Sequence, residues 1–182
     1  MELHIARIYY PVTTLGPGKR VGIWTSGCNR NCPGCISPEL QQFENGRAMT
    51  TDEIMNIINS LSELPDGFTI SGGEPFADPV ALHSLLDALC EISDDIIIFT
   101  GYTYEELKSE SDADINAVIA LCAMLVDGPY IQELNDGMGL RGSSNQRCLI
   151  FKYQVRYSAI ELEPRELQSV RYGKNFLTIG IP

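Results

Sequence analysis

The chain alternates between short, continuously apolar runs and longer segments in which apolar positions recur every three or four residues. The short runs predict buried β-strands, at residues 20–24, 68–70, 96–99, 124–126, 148–151 and 177–181. The longer segments predict amphipathic helices between them. Apolar strands that alternate with helices are typical of parallel βα units whose sheet is covered on both faces.

Polar residues at the predicted helix starts support this pattern. Thr50 and Glu53 have the spacing of a capping box ahead of an amphipathic segment. Asp78 is a good N-cap and is followed by Pro79, which suits the first helical position. Both sites predict helices that begin immediately after them.

The length of the chain limits how much of a barrel these units can build. A complete eight-unit barrel usually needs about 250 residues, whereas this chain has 182. The sequence therefore predicts an α/β fold, a partial (β/α) barrel of about six mostly parallel strands that is open on one side. We expect one domain spanning residues 1–182, because no repeat, low-complexity tract or linker divides the chain.

Composition and charge exclude several classes of partner. Acidic residues outnumber basic ones by 24 to 13, for a net charge of −11, so the chain lacks the basic surface of a nucleic-acid binder. No apolar run approaches the roughly 18 residues of a membrane-spanning helix. The N-terminus shows no basic and apolar signal region, and we expect a cytoplasmic protein without nucleic-acid or membrane partners.

The chain has six cysteines, which in a reducing compartment indicate metal ligands, catalytic groups or buried thiols rather than disulfides. Cys28, Cys32 and Cys35 lie together on the loop after the first predicted strand. The other three are isolated in apolar segments and are predicted to pack in the core: Cys90, Cys122 and Cys148. For Cys148 a reactive thiol is the alternative.

Three clustered cysteines separated by glycine and proline suit a soft metal centre such as an iron–sulfur cluster. Three thiolates on a four-iron cluster leave one iron without a protein ligand, and an open coordination position is typical of catalytic metal sites. The alternative is a zinc site completed by a distant fourth ligand. No second Cys/His pair is present to complete it, and His4 and His83 are solitary.

Other polar and glycine-rich motifs also follow predicted strands, at residues 71–74, 100–102 and 127–130. In parallel α/β folds the carboxyl ends of the strands meet at one edge, and that edge carries the active site. We therefore expect these motifs to lie close to the cysteine loop.

The spacing Cys28-x3-Cys32-x2-Cys35, with Gly-Gly-Glu at 72–74 after the next buried strand, resembles the radical S-adenosylmethionine superfamily. The resemblance implies that the three cysteines hold a [4Fe-4S] cluster and carry the catalytic centre. It also implies that the open iron is chelated by the amino and carboxylate groups of S-adenosyl-L-methionine.

The same resemblance implies that Gly72, Gly73 and Glu74 bind the methionine amino group of that cofactor. Paired glycines let the backbone approach a ligand closely, and a carboxylate accepts hydrogen bonds from an ammonium group. Gly34 occupies the position next to the third cysteine, where the family has a backbone contact with adenine.

The stretch Gly16-x-Gly18-x-Arg20-x3-Trp24-x2-Gly27-Cys28 resembles the signature of glycyl-radical-enzyme activating proteins. Trp24 stands where the signature has Phe, and Ser37 where it has Asn. Segments 99–102, 126–130 and 140–147 resemble the activating components of anaerobic (class III) ribonucleotide reductases. From these segments Thr100, Asp127 and Asn145 are candidate cofactor contacts; an ordinary turn residue is the alternative for Asp127, and a partner contact or surface loop for Asn145.

The resemblance implies an iron–sulfur oxidoreductase that reductively cleaves S-adenosylmethionine to a 5′-deoxyadenosyl radical. That radical would generate a glycyl radical on a partner glycyl-radical enzyme, an anaerobic ribonucleotide reductase. The electron would come from a flavodoxin- or ferredoxin-type donor. Two alternatives stay open: a stand-alone radical enzyme acting on a peptide or small molecule, and a non-catalytic iron–sulfur electron carrier.

Overall fold

A computed structural model of the chain describes residues 1–172 and 174–182, and within it seven strands form one mixed sheet. In chain order these strands are β1 (Glu2–Val12), β2 (Arg20–Thr25), β3 (Arg47–Thr50), β4 (Gly67–Gly72), β5 (Ile96–Phe99), β6 (Met124–Asp127) and β7 (Arg147–Ile150). In the sheet they follow the order β3-β1-β2-β4-β5-β6-β7. Strands β3 and β7 therefore form its two edges.

The four central strands β2, β4, β5 and β6 are mutually parallel, and each matches a predicted apolar run. The outer strands β1, β3 and β7 pair antiparallel with their neighbours. The structure confirms an α/β fold with a parallel sheet centre, and the sheet does not close into a barrel.

Two strands of the main sheet were not predicted from the sequence, and one predicted strand lies elsewhere. Strand β1 is mostly half-exposed and β3 has two exposed residues out of four, so neither shows a continuous apolar run. The run predicted at 177–181 overlaps β9 (Asn175–Ile179), which pairs with β8 (Gln168–Tyr172) in a separate two-stranded sheet.

Among the described residues five α-helices follow the strands: α1 (Thr51–Asn59), α2 (Pro79–Cys90), α3 (Tyr104–Ser109), α4 (Ala113–Leu121) and α5 (Gln154–Tyr157). The predicted capping box is present, since the Thr50 hydroxyl accepts from the Glu53 N–H and the Glu53 carboxylate accepts from the Thr50 N–H. The Asp78 carboxylate caps α2 by accepting from the Ala81 N–H. Within the described part of the chain, no helix has the length and apolar character needed to cross a bilayer.

The two faces of the sheet are covered by different parts of the chain. Helices α1, α2 and α4 pack on one face through buried residues such as Ile54, Leu85 and Val118. The opposite face is covered by Leu140 together with Tyr157 and further residues after β7. Only one face therefore carries the main helical layer.

The three isolated cysteines pack as small side chains. Cys122 is fully buried, as predicted, and its burial raises the pKa of the thiol to about 12. Cys90 and Cys148 are partly buried and pack against the two core clusters. Burial raises the pKa of Cys148 to about 12 as well, so this thiol has no reactive character at neutral pH.

Candidate active site

The cysteine loop and the Gly-Gly-Glu motif meet because their strands are parallel neighbours. Thr25, at the end of β2, lies in register with Gly72, at the end of β4. Beyond the strands, the Gly73 N–H donates to the Thr25 carbonyl and the Glu74 N–H donates to the Gly27 carbonyl, both at 2.9 Å. Two sequence motifs about forty residues apart are thereby joined by backbone hydrogen bonds.

This junction requires glycine at both positions of the pair. A Cβ atom on Gly72 would lie 2.2 Å from the Thr25 carbonyl oxygen, and one on Gly73 would lie 2.2 Å from the Gly27 carbonyl oxygen. Gly72 also has a φ of 114°, which L-residues rarely adopt. Any side chain here would push the cysteine loop away from β4.

A cavity of about 170 Å³ opens at this edge of the sheet and gathers most of the predicted site. Seven of the ten predicted residues line it: Cys28, Cys32, Cys35, Gly72, Gly73, Glu74 and Thr100. The carboxyl ends of β2, β4 and β5 thus converge on one space, as expected for a parallel sheet.

The donor set of the cavity fits an iron–sulfur cluster. Cys28, Cys32 and Cys35 are free thiols, each half-exposed, and no further cysteine or histidine is found among the described residues that line the cavity. Across the described chain, no three Cys, His, Asp or Glu side chains gather around a point that a single metal ion would occupy. In a four-iron cluster each thiolate binds its own iron, so thiols spread around one cavity suit that group.

Glu74 is the charged residue at the centre of the site and is 2% exposed. Its Oε1 accepts from the Thr100 hydroxyl at 2.8 Å and from the Phe76 N–H at 3.0 Å. Its Oε2 accepts from the Gly101 N–H at 2.8 Å. Burial raises the pKa of Glu74 to about 7, although these hydrogen bonds oppose the shift.

Arg30 also lines the cavity, and it was not identified from the sequence, where it is only a spacer between two cysteines. Its guanidinium carbon lies 4.6 Å from the centre of the Tyr102 ring, and Nη1 lies 3.5 Å from a carboxylate oxygen of Glu106. The guanidinium is held to the loop after β5. A cation is thereby kept beside the cavity.

An apolar wall faces the polar rim of the cavity and includes Trp24 and Phe99. The Trp24 ring packs over Gly22, where a Cβ atom would lie 2.4 Å from the indole. The Arg7 guanidinium carbon stands 5.9 Å from the indole centre. The signature aromatic at position 24 is therefore a wall residue of the site.

Three predicted site residues do not line the cavity: Gly34, Asp127 and Asn145. The Asp127 carboxylate is 1% exposed and accepts from the Tyr104 N–H at 2.7 Å and from the Arg147 Nε at 3.0 Å. Its ion pair with Arg147, whose own side chain is 44% exposed, joins β6 to β7, and the bond from Tyr104 joins it to the start of α3.

The other two predicted residues, Gly34 and Asn145, lie on loops but not in the cavity lining. The Asn145 amide donates to the Pro129 carbonyl at 2.8 Å, and a Cβ atom on Gly34 would lie 2.2 Å from the Gln132 side-chain oxygen. The neighbouring Gln146 does line the cavity. Its amide donates to the carbonyl of Gly128, another residue of the cavity lining, at 2.7 Å.

Known proteins are similar to this chain over the region that contains the site. The family model described as a 4Fe-4S single cluster domain matches residues 14–149. The anaerobic ribonucleoside-triphosphate reductase-activating protein of Escherichia coli (strain K12) is 35% identical over 148 residues, which cover 76% of this chain and 93% of that protein. The protein of the same name from Vibrio cholerae is 34% identical, with coverage of 76% and 92%.

A more distant relative is the pyruvate formate-lyase-activating enzyme of Staphylococcus aureus (strain USA300). It is 32% identical over 117 residues, which cover 55% of this chain and 46% of that enzyme. The region matched by the family model, residues 14–149, contains the cysteine loop, the Gly-Gly-Glu motif, strands β2–β6 and most of β7. The chain therefore belongs to the family of 4Fe-4S single-cluster proteins that includes the anaerobic ribonucleoside-triphosphate reductase-activating proteins.

Proposed function

We propose that this chain is a radical S-adenosylmethionine activating enzyme that installs a glycyl radical on a partner enzyme. The observation that carries the proposal is the cavity in which three free thiols meet the Gly-Gly-Glu backbone. The printed names of the relatives support it, because each is named for activating another enzyme, an anaerobic ribonucleoside-triphosphate reductase or pyruvate formate-lyase. The partner we favour is an anaerobic ribonucleotide reductase.

In this proposal Cys28, Cys32 and Cys35 hold a [4Fe-4S] cluster that leaves one iron open for S-adenosylmethionine. When bound and reduced, the cluster supplies one electron that breaks a carbon–sulfur bond of the sulfonium, giving methionine and a 5′-deoxyadenosyl radical that takes a hydrogen atom from the partner's glycine. A flavodoxin- or ferredoxin-type protein of the cytoplasm is the electron donor we propose. The protein itself binds and orients the cofactor and shields the reaction from competing reactions.

The carboxylate of Glu74 is suited to orient S-adenosylmethionine by accepting hydrogen bonds from the ammonium group of that cofactor. The carboxylate accepts only one hydrogen bond at Oε2, from the Gly101 N–H, so Oε2 keeps acceptor capacity toward the cavity. A bound ammonium would stabilise the charged carboxylate and return its pKa toward the ordinary value. Gly72 and Gly73 allow the ligand to approach the backbone.

Arg30 and the apolar wall complete the proposed binding site. The guanidinium of Arg30 is a donor suited to a carboxylate, and Trp24 and Phe99 offer flat apolar surface to a nucleoside. We propose that Gly34, Asp127 and Asn145 do not contact the cofactor directly. Asp127 instead holds the start of the loop that follows β6 at Gly128.

We propose that residues 1–182 act as one domain and that the open sheet curves as a partial barrel around the cavity. The exposed side of such a barrel admits a loop of a large partner protein.

Two measurements test the proposal. Anaerobic reconstitution should load roughly four irons per chain, and dithionite with S-adenosylmethionine should then yield 5′-deoxyadenosine, measured by chromatography. Mixing with a candidate glycyl-radical enzyme should produce a glycyl-radical signal in electron paramagnetic resonance.

The outcomes separate the alternatives. A fully loaded, reduced cluster that cleaves no S-adenosylmethionine would identify an electron carrier. Cleavage without a glycyl radical, accompanied by consumption of a peptide or small molecule, would identify a stand-alone radical enzyme.

A further inference from the structure

The C-terminal segment, defined here as residues 150–182, lies beyond the family match, which ends at residue 149. The Escherichia coli relative is aligned over 93% of its own length but over only 76% of this chain. The similarity to the family therefore gives no role for this segment.

The segment covers the sheet face opposite the helices. Tyr157 is fully buried, Ile179 is 2% exposed and Ile181 is 9% exposed. All three pack in the cluster that includes Met124 and Val126 of β6. The segment is thus part of the core rather than a surface addition.

Hydrogen bonds to other parts of the chain fix the segment in place. The Thr14 hydroxyl donates to the Ile179 carbonyl at 3.1 Å, and the Gln168 amide donates to the Pro11 carbonyl at 2.8 Å. The Pro182 carbonyl accepts from the Asn135 side-chain amide at 3.0 Å and from Arg165 Nη1, within the segment, at 2.7 Å. The last residues are therefore held by hydrogen bonds to two other parts of the chain, residues 11–14 and Asn135.

Ile181 separates two cavities. One is the cysteine cavity, and the other has a volume of about 400 Å³ and lies between the 13–17 loop and residues 156–166. Among the described residues, Ile181 is the one side chain that lines both. Leu15 lines the first cavity and Gly16 lines the second, so consecutive residues of the chain line different cavities here.

We propose that Ile181, which lines both cavities, is a sealing residue that closes the cysteine cavity against the second cavity. The benefit of such a seal rests on the proposed function, because chemistry with a reactive intermediate requires the exclusion of water. The seal itself is a property of the folded protein and needs no cluster or cofactor.

The test uses the apo-protein, reduced and kept anaerobic, and compares Ile181→Ala with the wild type. Cys28 is half-exposed and already reachable from the open side of the cavity, so its alkylation rate by iodoacetamide should rise about twofold, because deleting buried aliphatic atoms opens a second path into the cavity. The rate at Cys90, which lies at the end of α2 away from the cavity, is the internal reference. Acrylamide quenching of Trp24, the single tryptophan, should increase in parallel.

Leu162→Ala is the matched control, because Leu162 belongs to the same segment and is 76% exposed. It should leave both readouts unchanged. If Ile181→Ala prevents folding, Ile181→Val removes a single carbon and should produce a smaller rise of the same sign.

Two results would overturn the proposal: a folded Ile181 variant with wild-type values at Cys28 and Trp24, or equal rises at Cys28 and Cys90, which would mean general loosening. Because neither readout involves S-adenosylmethionine, a failed seal and a failed proposed function are distinguishable.

Discussion

Each end of the parallel strands buries a carboxylate, and the two ends surround it in opposite ways. At the amino end, Asp95 lies just before β5, with Arg20 Nη2 at 3.1 Å from its Oδ1 and Arg156 Nη1 at 2.7 Å from its Oδ2. At the carboxyl end, Glu74 accepts hydrogen bonds from three neutral donors. One carboxylate is matched by cations, whereas the other is held in hydrogen bonds without a direct ion pair.

The amino end is built as a fixed network around Arg20, which is fully buried. Its Nε donates to the Thr69 hydroxyl at 2.8 Å, and Nη2 donates to the Phe68 carbonyl at 2.6 Å. The Tyr157 hydroxyl donates to Asp95. Arg156 meets Asp95 at ion-pair distance without hydrogen-bond alignment, since Oδ2 has no hydrogen-bond partner. This end contributes to stability.

At the carboxyl end of the strands, Glu74 keeps acceptor capacity for a ligand, and its burial lowers the stability of the folded protein. Burial of Glu74 raises its pKa to about 7, which means that the surrounding protein disfavours the charge a cationic ligand would need. The contrast between Asp95 and Glu74 teaches that one fold can bury a carboxylate among cations at one site and among neutral donors, with acceptor capacity left over, at another.

The largest expected effect is at the carboxyl end. Replacing Cys32 with Ala should abolish cluster binding, reducing iron from roughly four atoms per chain to background, because a cluster with two protein thiolates is not retained. Iron analysis and visible absorption after reconstitution measure this. Cys90→Ala is the control and should load normally; retention of a full cluster by Cys32→Ala would contradict the ligand assignment.

At the amino end, Arg20→Met should lower the free energy of unfolding by about 3 kcal/mol, because it breaks a buried ion pair and removes the donors that Arg20 supplies to Asp95, the Thr69 hydroxyl and the Phe68 carbonyl. Urea titration of the apo-protein measures the loss. Lys19→Ala removes the adjacent surface pair with Glu63, 2.8 Å long and exposed, and should have no measurable effect. Equal results for both variants would show that the amino-end network is not stabilising.

Glu74 should make the stability of the apo-protein fall as the pH rises. Its folded pKa of about 7 lies above the ordinary value of 4.5, so the unfolded chain releases the proton first. The free energy of unfolding should decrease between about pH 4.5 and 7, by up to about 3 kcal/mol. Urea titrations across this range measure the slope.

Glu74→Gln should remove that slope while keeping a side chain of the same size. Other carboxylates oppose the effect, since hydrogen bonds from Thr50 lower the pKa of Glu53, and their contribution is lost as the pH falls. The difference between the wild type and Glu74→Gln is therefore the quantity to compare. An identical pH profile for the two proteins would refute the raised pKa.

The smallest expected effect concerns the ion pair between Asp127 and Arg147. Arg147→Met should destabilise the protein by about 1–2 kcal/mol, because Asp127 is left buried with only the Tyr104 N–H as a donor. Glu105→Gln, which alters only the exposed partner of Arg147, should have no measurable effect. Unchanged S-adenosylmethionine affinity in Arg147→Met would support a purely structural role for the pair.

Local patterns accounted for much of the fold. The four parallel strands are buried, and burial on both faces leaves a continuous apolar run that can be found without knowing the neighbours. Capping boxes are equally local, since Thr50 and Glu53 are three residues apart. Strands β1 and β3 escaped prediction because partly exposed residues interrupt any such run: β1 is mostly half-exposed although it is an interior strand, and β3 lies at the edge of the sheet.

The site was predictable where its residues were tied to strand ends. The Cys28 loop and the 72–74 motif follow adjacent parallel strands, so their meeting followed from topology. The role of Asp127 did not follow, because its partner Arg147 lies twenty positions away on an antiparallel strand. Arg30 was overlooked because its contact with Tyr102 comes from a distant loop.

The sequence by itself therefore determined the parallel strands, the helix caps and the two motifs that meet in the cavity, because each depends on spacing within a few residues or on the order of neighbouring strands. The tertiary structure alone decided which carboxylate is paired, and where Ile181 lies between two cavities. Those outcomes depend on side chains far apart in the chain, and on the three-dimensional packing that surrounds each charge with cations or with neutral donors.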